Sequence, residues 1–319
     1  MTTIVKLAPG QHKRIKAGHP WVYSNEIARR DLPDGLEPGA LVTIVGDNGE
    51  VYGTAIYNPH SLLAARIVER DGGGELDVEF LTGRLRRALD LRERLFDAPY
   101  YRLVHAEADG LPGLIIDRYG DGAAVQFNSA GMDRRRDAVL AALDNIVALK
   151  IIVLRNDGTG RALEGLSREV TTIRGDGAAT IWLRENGVWF AASLEAGQKT
   201  GWFFDQRDSR AFLAKLAKDA TVADFYAYGG GFGIQAMCAG ASSAVLIDRS
   251  QHALDQAAES ARRNNVAEGT AAAQFFCTIL KTRCARLPKS LAKSLLMRWI
   301  SAAREKSPSL PNGTSRSRK

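Results

Sequence analysis

The sequence predicts a multidomain protein that ends in an α/β domain of the doubly wound, nucleotide-binding type. Three observations support this prediction: an apolar run at Val222 to Tyr226, a cluster of glycines after it, and a second apolar run closed by Asp248. Helix-forming residues lie between the two runs, so the order is strand, glycine turn, helix and strand. In such units the glycines let a ligand approach the backbone, and the acid accepts hydrogen bonds from ribose hydroxyls.

The glycine loop differs from the dinucleotide fingerprint, because it reads DFYAYGGGFG from Asp224 and so places an acid inside the strand. A free helix N-terminus suits a pyrophosphate, whereas an acid here suits a neutral or cationic ligand. S-adenosylmethionine is a ligand of this kind, since it carries a cationic sulfonium, a cationic ammonium and a neutral ribose. A glycine-rich turn without any ligand is the alternative on this motif alone.

Length and composition limit the remaining choices. The 319 residues suffice for two or three domains, and the sequence shows neither a run of about 20 apolar residues nor a secretory leader pattern. We therefore expect a cytoplasmic protein without a membrane partner. The three cysteines and five histidines are scattered along the chain, and they predict neither a disulfide framework nor a metal site.

The net charge of +7 is concentrated near the C-terminus. Residues 277–319 hold 11 lysines and arginines and one acid, Glu305, whereas the rest of the chain holds 32 basic and 35 acidic residues. This change predicts a basic, atypical and disordered tail that would bind RNA non-specifically. Replacement of the tail through a shifted reading frame is a hypothesis that fits the same change.

Residues 1–72 predict a small β-barrel. Short strands are expected at Thr3 to Ala8, Leu41 to Val45, Val51 to Tyr57 and Leu63 to Glu69, with glycine- and proline-containing turns between them. After the first strand, positive charge alternates with aromatic surface, which is typical of an RNA-contacting module. The candidate RNA-binding residues are Lys13, Arg14, Lys16, His19 and Trp21. A solvated basic turn with Trp21 in the core is an equally good interpretation.

Residues 73–184 predict a central α+β domain. Helices are expected at Val78 to Phe96 and around Asp133 to Asn145, because apolar residues recur there at helical spacing. Strands are expected at Tyr101 to Ala106, Leu114 to Asp117, Ala123 to Phe127, Ile151 to Arg155 and Ile181 to Glu185. Strands that enclose helices without regular alternation are typical of α+β domains.

Residues 185–276 contain the partial nucleotide-binding domain. An Asn-Gly hairpin turn at Asn186 opens it, and the polar segment Gly197 to Arg210 precedes the glycine strand. This segment has more polar side chains than a connector needs, so Gln198, Lys199, Asp205, Gln206 and Arg207 are candidates for facing a ligand. A helix at Gln251 to Asn264 and a third strand at Ala271 to Phe276 complete half of a doubly wound sheet.

Several long motifs resemble those of the PUA-domain class I S-adenosylmethionine-dependent (cytosine-5) methyltransferases that act on 23S rRNA. The motifs are KRIKAGHPWVYSNEI, HAEADGLPGLIIDRYGD, ENGVWF, GQKTGWFFDQR and DFYAYGGGFG with the downstream IDRS. The resemblance covers about Ile4 to Phe276. It implies an N-terminal PUA-like RNA-binding β-barrel, a central α+β domain and an incomplete C-terminal Rossmann-like methyltransferase domain.

The resemblance also implies S-adenosylmethionine as cofactor and a cytosine of ribosomal RNA as methyl acceptor. Residues that match the family by position would surround the cofactor, with Asp248 on the ribose. They are Gln198, Lys199, Gln206, Arg207, Asp224, Tyr226, Gly229, Gly231, Gly233 and Asp248. The sequence permits a homodimer, although no residue demands one.

This chain departs from the family after its third predicted strand, because it has neither the D-P-P turn nor the strand ending in Ser-Cys. In the chemistry that the resemblance implies, a cysteine thiolate adds to C6 of cytosine so that C5 can attack the methyl group. Cys238, Cys277 and Cys284 lack the matching context. We expect Cys238 to be a small core residue and assign no catalytic residue.

Two functions therefore stay open. One is an rRNA methyltransferase, and the other is a non-catalytic RNA-binding protein that retains at most S-adenosylmethionine binding. A nicotinamide-dependent oxidoreductase is disfavoured, because the glycine loop is not the dinucleotide fingerprint.

Overall fold

The computed structural model describes residues 3–28, 30, 32, 35–71 and 74–267, together with the backbone of 273–277. The predicted tail therefore lies outside the described residues, apart from the backbone of Cys277. In this described part, no helix is long and apolar enough to cross a membrane.

The N-terminal unit is a five-stranded sheet with the strand order β1-β3-β4-β5-β2. Its elements are β1 (Thr3–Lys6), α1 (Lys13–Lys16), β2 (Trp21–Val22), β3 (Ala40–Val45), β4 (Val51–Tyr57) and β5 (Ala65–Glu69). Alternating apolar side chains of these strands form one buried cluster. Gly53 has a φ of +129°, and a Cβ there would lie 2.1 Å from Glu69 O, so the close approach of β4 to β5 requires glycine at this position. The predicted small β-barrel is confirmed.

The central unit is a sheet with the order β10-β9-β8-β7-β6, covered on one face by helices. Its helices are α2 (Val78–Leu95), α3 (Ala130–Asp133) and α4 (Arg136–Asp144), and its strands are β6 (Tyr100–His105), β7 (Leu114–Tyr119), β8 (Gly122–Phe127), β9 (Ile151–Asn156) and β10 (Glu169–Arg174). Asp77 caps α2 by accepting the N–H of Phe80 at 2.8 Å. The α+β prediction is confirmed, and β10 is an additional strand.

A hairpin connects the central and C-terminal units. It consists of β11 (Thr180–Glu185) and β12 (Val188–Ser193), and its turn residues Asn186 and Gly187 have φ values of +51° and +83°, as the Asn-Gly pair predicts. Phe190 packs in one buried cluster with Tyr119 of β7 and Leu246 of the last sheet. The domain boundary predicted after residue 184 falls inside this hairpin and stays a prediction.

The C-terminal unit is a parallel sheet with the order β13-β14-β15. Its elements are α5 (Arg207–Lys215), β13 (Thr221–Phe225), α6 (Gly231–Cys238), β14 (Ser243–Asp248), α7 (Gln251–Arg263) and β15 (Ala273–Cys277). The parallel pairing places the carboxyl ends of β13 and β14 side by side, where ligands bind in such sheets. The predicted Rossmann-like half is confirmed.

The helix α6 begins at Gly231, so two glycines of the DFYAYGGGFG motif, Gly231 and Gly233, belong to the first turn of the helix. One local prediction for this unit is wrong. Cys238 is exposed rather than a core residue, because it is the last residue of α6 and follows the buried run that ends at Met237.

Candidate cofactor site

The loop between β13 and α6 has an unusual backbone. Tyr226, Tyr228 and Gly230 all have left-handed φ values, of +61°, +50° and +76°. The chain thus reverses sharply and places the first turn of α6 against β14. A Cβ on Gly233 would lie 2.1 Å from Leu246 Cδ2, so only glycine allows the helix to pack this closely. The glycines therefore allow close packing of the helix on β14 as well as the left-handed backbone of the loop.

Asp248 ends β14 and holds this loop in place. Its Oδ2 accepts the N–H of Tyr228 at 2.9 Å, and its Oδ1 accepts the N–H of Ser250 at 2.9 Å. The residue is 7% exposed and lines the cleft beside the loop. Each carboxylate oxygen can accept more than one hydrogen bond, so Asp248 can also accept bonds from ligand hydroxyls.

Asp224 has a different position, below the loop. Its Oδ2 accepts the N–H of Gly233 at 3.0 Å, which satisfies one of the free N–H groups at the start of α6. Burial raises the pKa of Asp224 to about 6, although the Gly233 N–H and the charge of Arg210 act in the opposite direction. Asp224 supports the glycine loop and does not line the cleft.

The polar segment before α5 is fixed to both the loop and the central sheet. The hydroxyl of Tyr228 accepts the N–H of Gln198 at 3.1 Å and donates to Gly201 O at 3.0 Å. From the other side, Tyr119 of β7 donates its hydroxyl hydrogen to Thr200 O at 3.0 Å. These bonds hold the segment over the carboxyl ends of β13 and β14.

A cleft of about 430 Å³ lies between this segment and the loop. It is lined by Gln198, Trp202, Phe203, Gln206, Arg210, Tyr226, Ala227, Tyr228, Gly231, Phe232, Asp248 and Arg249. Five of the predicted cofactor residues are in this lining: Gln198, Gln206, Tyr226, Gly231 and Asp248. The other five, Lys199, Arg207, Asp224, Gly229 and Gly233, lie close in sequence but outside the lining.

Arg207 is one of the predicted cofactor residues whose side chain lies outside the cleft lining. It donates from Nε to Glu185 Oε2 at 3.4 Å, bonds the carbonyl of Tyr100, and lies 4.4 Å over the ring of Phe96. Arg207 therefore connects α5 to the central unit. Arg210, which is not among the predicted residues, lines the cleft instead. The sequence holds one indication of a buried arginine: Glu185 is an acid at the end of an apolar strand, and a buried acid needs a basic partner.

The chemistry of the lining fits S-adenosylmethionine. Asp248 offers acceptors for ribose hydroxyls, and aromatic side chains such as Phe203 and Phe232 offer apolar surface for a base. Arg210 Nε is buried without a hydrogen-bond partner, and it lies so close to Gly231 that a Cβ there would come within 2.5 Å of it. Among the residues that the structure describes, no group of three or more His, Cys, Asp or Glu side chains could hold a metal ion.

The predicted RNA-binding residues occupy mixed positions. Arg14 donates to both oxygens of Glu26, at 2.9 and 2.7 Å, and so has a structural role. Trp21 donates from Nε1 to Glu107 Oε1 at 2.9 Å, which joins the N-terminal unit to the central one. Trp21 is half-buried at this junction and is therefore not a core residue, while its contact with RNA stays a prediction.

The remaining members of this set are more accessible. Lys13 and Lys16 are exposed, and Lys16 pairs with Glu50 at 3.1 Å. His19 is half-buried, and its ring meets that of Trp21 edge-on at 5.6 Å. Lys13 and Lys16 are therefore the predicted residues whose charge faces solvent.

Comparisons with known proteins match both ends of this architecture. The profile of a PUA-like domain matches residues 5–70, and that of an S-adenosylmethionine-dependent methyltransferase matches residues 167–289. A solved S-adenosylmethionine-dependent methyltransferase from Streptococcus mutans superposes with a TM-score of 0.71 at 18% identity, covering 95% of this chain and 74% of that one. A methyltransferase complexed with SAH gives 0.73 at 19%, covering 94% and 73%. These structures support the fold.

Sequence relatives are closer. Ribosomal RNA large subunit methyltransferase I from Alteromonas mediterranea is 36% identical over 260 residues, which are 81% of this chain and 65% of the relative. The protein of that name from Aliivibrio fischeri is 36% identical over 268 residues, 83% of this chain and 67% of the relative. The chain thus spans about two thirds of the length of these curated relatives.

Proposed function

We propose that this chain, which belongs to the ribosomal RNA large subunit methyltransferase I family, transfers a methyl group from S-adenosylmethionine to C5 of a cytosine in large-subunit rRNA. The observation that carries the proposal is the cleft at the carboxyl ends of β13 and β14. There an acid, a glycine-rich helix start and a buried arginine surround a space of about 430 Å³.

In the proposed complex Asp248 accepts the ribose hydroxyls, while Gln198 and Gln206 border the cofactor from the segment before α5. Tyr226 lies at the entrance, 78% exposed, where its ring can cover the ligand. Bound S-adenosylmethionine supplies an electrophilic methyl group. Asp224, Gly229 and Gly233 shape the loop from outside the cleft, and Lys199 lies over Phe203 at 4.9 Å.

The N-terminal unit supplies RNA contact in this proposal, with Lys13 and Lys16 as the residues that face solvent. Their charges would bind phosphates and position the substrate without reading its sequence. The relatives' names supply the rRNA substrate, and the motif resemblance supplies the cytosine C5 acceptor.

No nucleophile is assigned. Cys238 is exposed at the end of α6 and does not line the cleft, and the side chains of Cys277 and Cys284 lie outside the described residues. The position of Cys238 away from the cleft favours a second candidate function, a non-catalytic RNA-binding protein that binds S-adenosylmethionine without methyl transfer.

Both candidates are tested with the full chain, S-adenosylmethionine carrying a labelled methyl group, and large-subunit rRNA that lacks base methylation. The proposal predicts label in the RNA, recovered as 5-methylcytosine after digestion to nucleosides. Cofactor binding without label in the RNA would favour the second candidate. A folded protein that binds no S-adenosylmethionine would contradict both the methyl-transfer proposal and the cleft assignment.

A further inference from the structure

A cationic corner lies at the α6 side of the cleft. Arg210 of α5 is 4% exposed, and its guanidinium lies against the first residue of α6, since a Cβ on Gly231 would come within 2.5 Å of Arg210 Nε. The rings of Trp202 and Phe232 flank the guanidinium at 4.4 and 5.5 Å. All four residues line the cleft, so the guanidinium is part of its wall.

Two arginines share one carboxylate at this corner. The side chain of Glu185 is fully buried and accepts from Arg210 Nη1 at 2.6 Å and from Arg207 Nε at 3.4 Å. Arg207 is directed toward the central unit, where it contacts Phe96. Because one negative charge serves two positive charges, the group keeps a net positive charge that reaches the cleft through Arg210.

The other acids nearby already accept backbone hydrogen bonds. Asp224 accepts the N–H of Gly233, and although the charge of Arg210 acts on its carboxyl, burial leaves that carboxyl less acidic than usual. Asp248 accepts the N–H groups of Tyr228 and Ser250. Arg210 Nε is meanwhile buried without a hydrogen-bond partner. The N–H groups in the first turn of α6 add partial positive charge beside it, so this corner favours an anionic group.

We propose that Arg210, together with the first turn of α6, binds the α-carboxylate in the methionyl part of S-adenosylmethionine. The inference rests on the proposed function and names the group that holds the amino-acid end of the ligand. With the ribose at Asp248 on β14, the methionyl part would extend toward the first turn of α6, against which the Arg210 side chain packs. A guanidinium presents planar donors that match a carboxylate.

The test compares two ligands that differ by this carboxylate. Isothermal titration of the full chain is carried out with S-adenosylhomocysteine and with its decarboxylated analogue, which keeps the amine. The wild-type chain should bind S-adenosylhomocysteine about 10- to 100-fold more tightly, the range for a hydrogen-bonded charge pair. In Arg210→Met the ratio of the two affinities should fall close to one, with little change for the decarboxylated ligand.

Lys215→Met is the matched control. It removes a positive charge from the same helix at an exposed position outside the cleft, so the ratio should stay at its wild-type value. Circular dichroism establishes that each variant is folded. If Arg210→Met does not fold, Arg210→Lys replaces it, and the ratio should then take an intermediate value because the charge remains and the planar donors are lost.

The inference is overturned if the wild-type chain binds both ligands equally, or if an Arg210 variant keeps the wild-type ratio. Either result would leave the cleft assignment in place, because both ligands contain the adenosine that Asp248 is proposed to hold. Failure of the folded wild-type chain to bind either ligand would instead refute the proposed cofactor function itself, and the Arg210 inference with it.

Discussion

The cofactor cleft and the N-terminal basic segment, residues 13–21, use charged side chains in opposite ways. In the cleft, Asp248 and Arg210 keep bonding capacity directed at a concave surface. In the basic segment, Arg14 and Lys16 are paired with acids of their own unit. Parallel strands bring the ends of distant segments to one edge of the sheet, where their side chains can face a shared cleft. In a surface turn, each charged side chain forms an ion pair with the nearest acid. The contrast shows that position in the fold separates ligand-facing charges from structural ones.

The strongest test of the cleft side of this contrast is Asp248→Ala. Ribose hydroxyls would lose their acceptor, so binding of S-adenosylmethionine should weaken by about 1 to 3 kcal/mol. Titration calorimetry measures this loss, with Asp255→Ala on the exposed side of α7 as the control that should bind like wild type. Unchanged affinity in a folded Asp248→Ala variant would count against the ribose assignment.

On the other side of the contrast, Arg14→Met should act on stability. Glu26 is 8% exposed and would keep the N–H of Tyr23 as a partner while losing both bonds from Arg14. We expect the N-terminal unit to lose about 2 kcal/mol of unfolding free energy, less than for a fully buried pair because Arg14 is partly exposed. Urea unfolding followed by tryptophan fluorescence measures the change.

Lys13→Met is the control for that experiment, because Lys13 is exposed one residue away, and its unfolding should match wild type. Should Arg14→Met unfold like wild type while RNA affinity drops, Arg14 would be an RNA contact and the contrast would fail.

Asp224 gives a pH-dependent test. Its folded pKa of about 6 lies above the ordinary value of 3.8, so between about pH 4 and pH 6 the folded protein holds a proton that the unfolded chain releases. The free energy of unfolding should therefore fall as pH rises through this window, by about 2 kcal/mol. Asp224→Asn should remove this part of the slope. An identical slope in the variant would show that Asp224 is not the group responsible.

The smallest effect is expected at Lys13. If this side chain meets a phosphate, Lys13→Ala should reduce the slope of log affinity against log salt by about 1, with a loss of roughly 1 kcal/mol or less in RNA binding at physiological salt. Filter binding at several salt concentrations measures the slope. Lys150→Ala removes the same charge from the central unit. An equal effect of both substitutions would show that the basic segment contacts RNA no more than the rest of the surface does.

The sequence predicts α2 because its apolar periodicity matches its burial, and it predicts β4 because a short, mostly apolar run is almost fully buried. The sequence does not predict the strand β10, because its residues are at least partly exposed and show no apolar alternation. Asp248 could be predicted because a strand end fixes its place. Arg210 and Arg207 could not be distinguished, because their directions depend on the packing of Glu185, which is distant in sequence.

A crystal structure of the chain with S-adenosylhomocysteine tests most directly whether this cleft is the cofactor site. The account predicts the ligand between the loop after β13 and the segment before α5, with ribose oxygens at hydrogen-bond distance from the Asp248 carboxylate. A ligand bound elsewhere on the protein, or in the cleft with its ribose away from Asp248, would contradict it.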